Sequence, residues 1–294
     1  RVFYPAPGKQ SEALVCKDGE ADVLQAMQDQ MAFSGRVATQ VSNLRKLGFE
    51  VGDKAVARLL VELHNRGAFA AGLVLVGTLG YMAWLNELGI IAVSTRTLNI
   101  DLARRQQLKL AAPLAFLPTL QATGLPFVAV PGLPSSEPST SVTLPGVQGL
   151  RVDVLAPGEH LGTAVRIPEL EWAAQSVPYY DYLLEAPEPA AMLAGGHCIP
   201  IRLPQAARLV WHKLYSSTQR QGFPEKAAKD QQQALVLGAA LAELDSPAPQ
   251  RAFAEAPVSM TARIKPLHAM LAPKVAAHGM LVEILQDCLA GKVG

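Results

Sequence analysis

Leu73-Val74-Leu75-Val76-Gly77-Thr78 is an apolar run that ends in glycine and a small hydroxyl residue. It reads as a buried strand that opens into a helix. Two later segments answer to it. Thr97-Leu98-Asn99-Ile100-Asp101-Leu102 alternates polar with apolar residues, which puts Asn99 and Asp101 on one face of a second strand. Leu150-Arg151-Val152-Asp153-Val154-Leu155 sets one more carboxylate in the middle of an apolar strand. A hydroxyl residue after glycine at a helix start, with acidic side chains on neighbouring strands, is the residue set that a metal-dependent phosphoryl-transfer site requires.

Working outward, residues 11 to 66 read as helical. Ala21 to Val41 is rich in Ala, Gln and Met and free of Pro. Asp53 is placed to cap a helix over Lys54 to Asn65, with Gly67 as its C-terminal stop and Leu59, Leu60 and Leu63 as its apolar stripe. After the first strand a helix is expected from Thr78 to Glu87, ended by Gly89. Leu114 to Thr123 reads as a short helix stopped by Gly124, and Phe127 to Val130 as a strand. Pro131 to Ser141 has loop composition. The third strand is expected to stop at Ala156-Pro157-Gly158. Val177 to Pro189 is acidic and proline-bounded, and holds Tyr179, Tyr180 and Tyr182. Beyond Pro204 the chain turns helical, with breaks near Gly222-Phe223-Pro224 and from Asp245 to Pro249. The expected class is α+β: a small mixed sheet over residues 69–200, between an N-terminal helical segment (1–68) and a C-terminal helical region (201–294).

The chain has 294 residues, half of them hydrophobic, and a net charge of +1. That balance predicts no long-range pull on nucleic acid, so any such contact must be a local patch. Three widely separated cysteines argue against a disulfide framework and for a reducing cytoplasm. Arg1 to Gly8 contains no long apolar run, so no signal peptide is expected. Ala68 to Leu85 is uncharged and long enough to span a bilayer. Its glycines at 72, 77 and 80 favour a buried strand followed by a buried helix, and no membrane partner is expected.

In this order along the chain, Gly77-Thr78, Asn99-Ile100-Asp101 and Asp153 resemble the polymerase-β-type nucleotidyltransferase superfamily, in its minimal bacterial stand-alone branch. Arg202-Leu203-Pro204-Gln205, Trp211-His212-Lys213-Leu214, Arg220 and Lys226 to Asp230 resemble a C-terminal stretch of such members. The likeness covers roughly residues 70 to 240. It implies a nucleoside triphosphate substrate, two Mg²⁺ ions, and transfer of a nucleoside monophosphate to a hydroxyl of RNA, protein or a small molecule. Gly77 and Thr78 would hold the triphosphate. Asn99, Asp101 and Asp153 would hold metal, with Asp153 as the base. Some relatives are toxins, which implies an antitoxin or other protein partner.

The chemistry accounts for these residue types. In-line attack at an α-phosphorus builds negative charge on oxygens that repel the nucleophile. Two divalent ions about 3.5–4 Å apart clamp the attacking and leaving oxygens. Mg²⁺ prefers carboxylate and phosphate oxygens, and acidic residues at i and i+2 of a strand face one way. A carboxylate on a neighbouring strand can accept the hydroxyl proton. Glycine lets backbone approach phosphate, and a helix start offers free N–H groups. On a helix over Pro204 to Gln221, Lys213, Ser217 and Arg220 share a face at i, i+4 and i+7, which fits phosphate binding, and Lys226 and Lys229 extend the patch.

Asn99 departs from the family's pattern, which has aspartate there. A neutral ligand lowers cation affinity, so the residue is compatible with a catalytically inactive nucleotide-binding or scaffold protein, with a weak or one-metal enzyme, or with an introduced change. Plainer readings stand beside the functional ones. Arg151 and Asp153 can both face solvent by simple alternation. Arg104-Arg105 suits a solvated strand exit as well as an acceptor contact. His197-Cys198 after Gly195-Gly196 reads as a turn, and the tyrosine cluster as an aromatic anchor rather than a base-stacking platform. Neither Gly-x-Ser-x-Gly nor a Walker-type loop is present.

Overall fold

The computed structural model describes residues 16–92, 97–146 and 149–291. The expected helical residues 11 to 15 and the segment Arg1 to Gly8 lie outside it. Helix α1 (Ala21–Lys46) stands largely in solvent, with Val41 its buried residue. Helix α2 (Lys54–Asn65) follows. Asp53 Oδ1 accepts from the backbone N–H groups of Ala55 and Val56, each at 2.9 Å, a cap worth about 1 kcal/mol. Leu59, Leu60 and Leu63 are fully buried, and Gly67 ends the helix with φ +74°.

The run from Ala68 to Leu85 divides into turns, strand β1 (Val74–Val76) and helix α3 (Gly77–Glu87). Among the described residues no helix is long and apolar enough to cross a membrane. The chain continues through β2 (Asn99–Ala103), α4 (Phe116–Gln121), β3 (Val128–Ala129), β4 (Ser141–Thr143), β5 (Arg151–Pro157), β6 (Ala164–Ile167) and β7 (Trp172–Val177). These strands form one mixed sheet in the order β1-β2-β5-β4-β3. Strand β2 runs parallel to β5, and β1 and β4 run antiparallel to their neighbours. Leu155 of β5 pairs with Ala103 on one side and Gln175 on the other, so β7 extends the edge that β4 leaves free. Strand β5 ends at Pro157, within the expected stop of Ala156-Pro157-Gly158. Proline is tolerated there because it closes the strand.

Helix α5 (Tyr180–Leu183) leads to a separate hairpin of β8 (Glu188–Ala194) and β9 (His197–Leu203). Its turn is Gly195-Gly196, with φ +52° and +88°, the backbone that a two-residue hairpin loop demands. The sequence reading missed this hairpin because β8, Glu-Pro-Ala-Ala-Met-Leu-Ala, has little β-branched or aromatic character. Helix α6 (Ala206–Thr218) is buried on nearly every face. Around it stand α7 (Pro224–Leu244), α8 (Pro247–Ala254) and α9 (Val258–Ile264), followed by α10 (His268–Leu271) and α11 (Gly279–Leu285). Trp84 Nε1 donates to the Pro204 carbonyl at 2.9 Å and Trp211 Nε1 to that of Pro249 at 2.8 Å, which satisfies two buried indoles. One hydrophobic core runs from α2 through the sheet to α11. The α+β expectation holds: a mixed sheet with helical flanks.

Candidate active site

A row of paired positions crosses four strands. Val76 of β1 pairs with Asp101 of β2, Asp101 with Asp153 of β5, and Asp153 with Ser141 of β4. One step earlier Asn99 pairs with Arg151, and Arg151 with Thr143. Gly77 starts α3 beside this row with φ +66°, and a Cβ there would stand 1.9 Å from Asp101 Oδ2. The N-cap residue of α3, Val76, offers no side-chain cap, and among the described residues no side chain accepts from the first N–H groups of the helix.

The row opens on a cavity of about 310 Å³. Gly77, Thr78, Asn99, Asp101 and Asp153 line it from the sheet side; His212, Lys213, Arg220, Lys226, Lys229 and Asp230 line it from α6, α7 and their connection. Lys229 Nζ donates to Thr78 Oγ1 at 3.2 Å and so ties α7 to the start of α3. Lys213 is buried; its Nζ donates to Gln233 Oε1 at 2.7 Å and lies 3.6 Å from Asp230 Oδ1. Asp230 also pairs with Arg220 Nε at 3.2 Å.

Electrostatics follow from burial. Desolvation, then the Asp153 charge, push the Asp101 carboxyl up to about 6, against the pull of Lys213, Lys229 and Arg220. Among the described residues no donor bonds to that carboxylate. Burial pulls the Lys213 ammonium below the usual lysine range, with Asp230 opposing. Burial brings His212 down to about 4, so the ring is neutral. Its Nε2 stands 3.3 Å from the Pro178 carbonyl, which can only accept, and Nδ1 stands 3.4 Å from Ser216 Oγ; the proton is therefore on Nε2. Tyr180 packs edge-on against His212 with 5.0 Å between ring centroids, and burial raises its phenol.

The structure thus brings Gly77, Thr78, Asn99, Asp101, Asp153, Lys213 and Arg220 to one cavity. Ser217 does not line it: its hydroxyl donates to the Leu214 carbonyl at 2.7 Å, and Ser216 faces the cavity instead. Helix α6 ends at Thr218, so Arg220 arrives from the loop rather than from a shared helical face. Asp153 is 8% exposed, which removes the reading in which it faces solvent with Arg151. Arg104 pairs with Glu169 at 3.3 Å and Arg105 with Asp181 at 3.6 Å, and neither lines the cavity. Tyr182 donates to the Ala252 carbonyl at 2.7 Å and acts as an anchor. No spacing rule links Lys213 on α6 to Asp230 and Gln233 on α7, so only the packing of the two helices joins them.

Among the described residues no three His, Cys, Asp or Glu side chains stand close enough to hold a metal. The donor set nevertheless suits one hard divalent cation. Two in-register carboxylates, one of them without a donor among the described residues, line the cavity together with Asn99, whose side-chain amide could add one oxygen to a cation held there.

A glycine-started helix beside paired carboxylates, walled by lysines and an arginine, forms one cavity of mixed charge. A family model described as nucleotidyltransferase matches residues 54–257, more than half of the chain, and the chain belongs to that nucleotidyltransferase family. Nucleotidyl transfer from a nucleoside triphosphate is the activity of that class. No curated protein and no solved structure gave a significant match.

Proposed function

We propose that the protein transfers a nucleoside monophosphate from a nucleoside triphosphate to a hydroxyl acceptor in RNA, a protein or a small molecule, using Mg²⁺ held by Asp101, Asp153 and the Asn99 carbonyl. The observation that supports this reading is the in-register Asp101–Asp153 pair, set in one cavity with Lys213, Arg220 and Lys229. The bound cation would polarise the phosphoryl oxygens and ease the approach of the hydroxyl. The chain's own residues do the rest. Gly77 lets the backbone approach the triphosphate, and the uncapped start of α3 meets its oxygens. Thr78, steadied by Lys229, adds a hydroxyl. Lys213 and Arg220 offset the charge of the leaving pyrophosphate, and Asp230 keeps both in place. Asp153 accepts the proton of the attacking hydroxyl.

Asn99 favours a second reading, in which the chain binds nucleotide and does not turn it over. Calorimetric titration with each of the four nucleoside triphosphates, with and without Mg²⁺, separates the two when run alongside a pyrophosphate assay. Mg²⁺-dependent binding with pyrophosphate release by the wild-type chain supports transfer. Binding by both the wild type and Asn99→Asp, with release only from Asn99→Asp, supports the second reading. No binding by either protein overturns both.

A further inference from the structure

Asp153 has two oxygens, and neighbouring side chains occupy one of them. Ser141 Oγ donates to Oδ1 at 2.5 Å and Arg151 Nε donates to the same atom at 2.8 Å. Arg151 Nη2 in turn donates to Ser141 Oγ at 2.7 Å. The three side chains close a ring of hydrogen bonds across β4 and β5. Asp153 reaches the cavity; Ser141 and Arg151 do not line it. Among the described residues Oδ2 has no donor, so it is the oxygen left for the site.

A carboxylate on a strand can turn about its terminal torsion, which is broad. With Oδ1 held at two points, that freedom is gone. The planar guanidinium grips from Nε and Nη2 together, a geometry that lysine cannot copy. Asn99 contributes as well. It is the register partner of Arg151, and as a neutral amide it offers that guanidinium no competing charge.

We propose that Arg151 is a positioning residue: braced by Ser141, it fixes Asp153 so that Oδ2 faces the cation and the reacting oxygens. This rests on the metal-dependent reading given above. A cation so near the site also repels a second cation, so removing it has two opposite effects. If Arg151 acts only as a charge, its loss strengthens divalent-metal binding. If it positions Asp153, its loss weakens binding, because partners of a metal ligand typically carry about 10–100-fold in affinity.

The sign of the change therefore decides. Mn²⁺ affinity is measured by its paramagnetic signal with a non-hydrolysable nucleoside triphosphate analogue present, on the wild type, Arg151→Gln, Arg151→Lys and Ser141→Ala. The positioning role gives an affinity loss of about tenfold in Arg151→Gln, a similar loss in Arg151→Lys, which keeps the charge, and a smaller loss in Ser141→Ala, which keeps both charges. Ser141→Ala also decides the matter where the Arg151 variants fail to fold. Unchanged or tighter Mn²⁺ binding in folded Arg151→Gln, or in Ser141→Ala, overturns the proposal while leaving the metal site standing. A wild-type chain that binds no Mn²⁺ overturns the metal reading and the role of Arg151 with it.

Discussion

Gly77 and Asp101 are packed so closely that a Cβ on the glycine would overlap the aspartate Oδ2, at 1.9 Å. The helix start and the second strand therefore meet without room for one methyl group, and the carboxylate takes that room. Gly77 also holds φ +66°, which costs an L-residue about 1–2 kcal/mol. Gly77→Ala is expected to lose about 2 kcal/mol of stability and to displace the carboxylate. Nucleotide affinity in the presence of Mg²⁺ should fall at least about tenfold, a 1.4 kcal/mol effect. Urea unfolding and calorimetry check the two losses separately. A variant with wild-type affinity would mean that Asp101 plays no part in binding.

Asp230 compensates Lys213 and Arg220. Lys213 is buried, so removing its carboxylate partner strands a charge away from water. Asp230→Ala is expected to cost about 3–5 kcal/mol, the usual penalty for breaking a buried pair. Asp230→Asn, which keeps a hydrogen-bond acceptor, should cost less. Urea midpoints rank the two, and equal midpoints would show that Lys213 reaches solvent.

Asp101 and His212 give opposite pH slopes. The Asp101 carboxyl stands at about 6 in the folded chain against 3.8 for the free group, so the folded state binds the proton more tightly. Its contribution to stability is full below pH 3.8 and is lost as pH rises to about 6. His212 stands at about 4 against 6.5, so the unfolded state binds the proton more tightly. Its contribution is full above pH 6.5 and is lost as pH falls towards 4. Asp101→Asn should therefore gain on the wild type as pH rises from 4 to 7, by about 1–3 kcal/mol. His212→Gln should gain as pH falls over the same range. Urea midpoints from pH 4 to 8 without divalent metal test both, and slopes of the same sign in the two variants would refute the assignment.

Leu60 of α2 is fully buried. Leu60→Ala should lose about 2–5 kcal/mol through lost transfer energy and the cavity left behind. Nucleotide affinity in the folded fraction should be unchanged, because Leu60 does not line the cavity. This variant is the control that separates stability loss from site damage.

Much of the architecture was legible locally. Asp53, Lys54 to Asn65 and Gly67 announced a helix with both ends marked, and the structure has it with those bounds. The two strands that bear Asn99, Asp101 and Asp153 showed through their apolar neighbours, because side chains alternate between the two faces of a strand at every residue. The Gly195-Gly196 hairpin did not show, since Ala and Pro carry little strand preference and β8 is a strand by virtue of its partner. Ser217 was misplaced for a related reason: helical spacing sets which residues share a face, and it cannot say which face meets the cavity.

The sequence by itself determined the order of elements from α2 to β3, the glycine that opens α3 and the residue types brought to the cavity, because these depend on local backbone preference and hydrophobic period. The tertiary structure decided which charges meet. Register alone sets Asp101 beside Asp153 and Asn99 beside Arg151, and helix packing alone brings Lys229 to Thr78 and Asp230 to Lys213. Such contacts join residues far apart in the chain, and their energies depend on distance and burial, which no local pattern encodes.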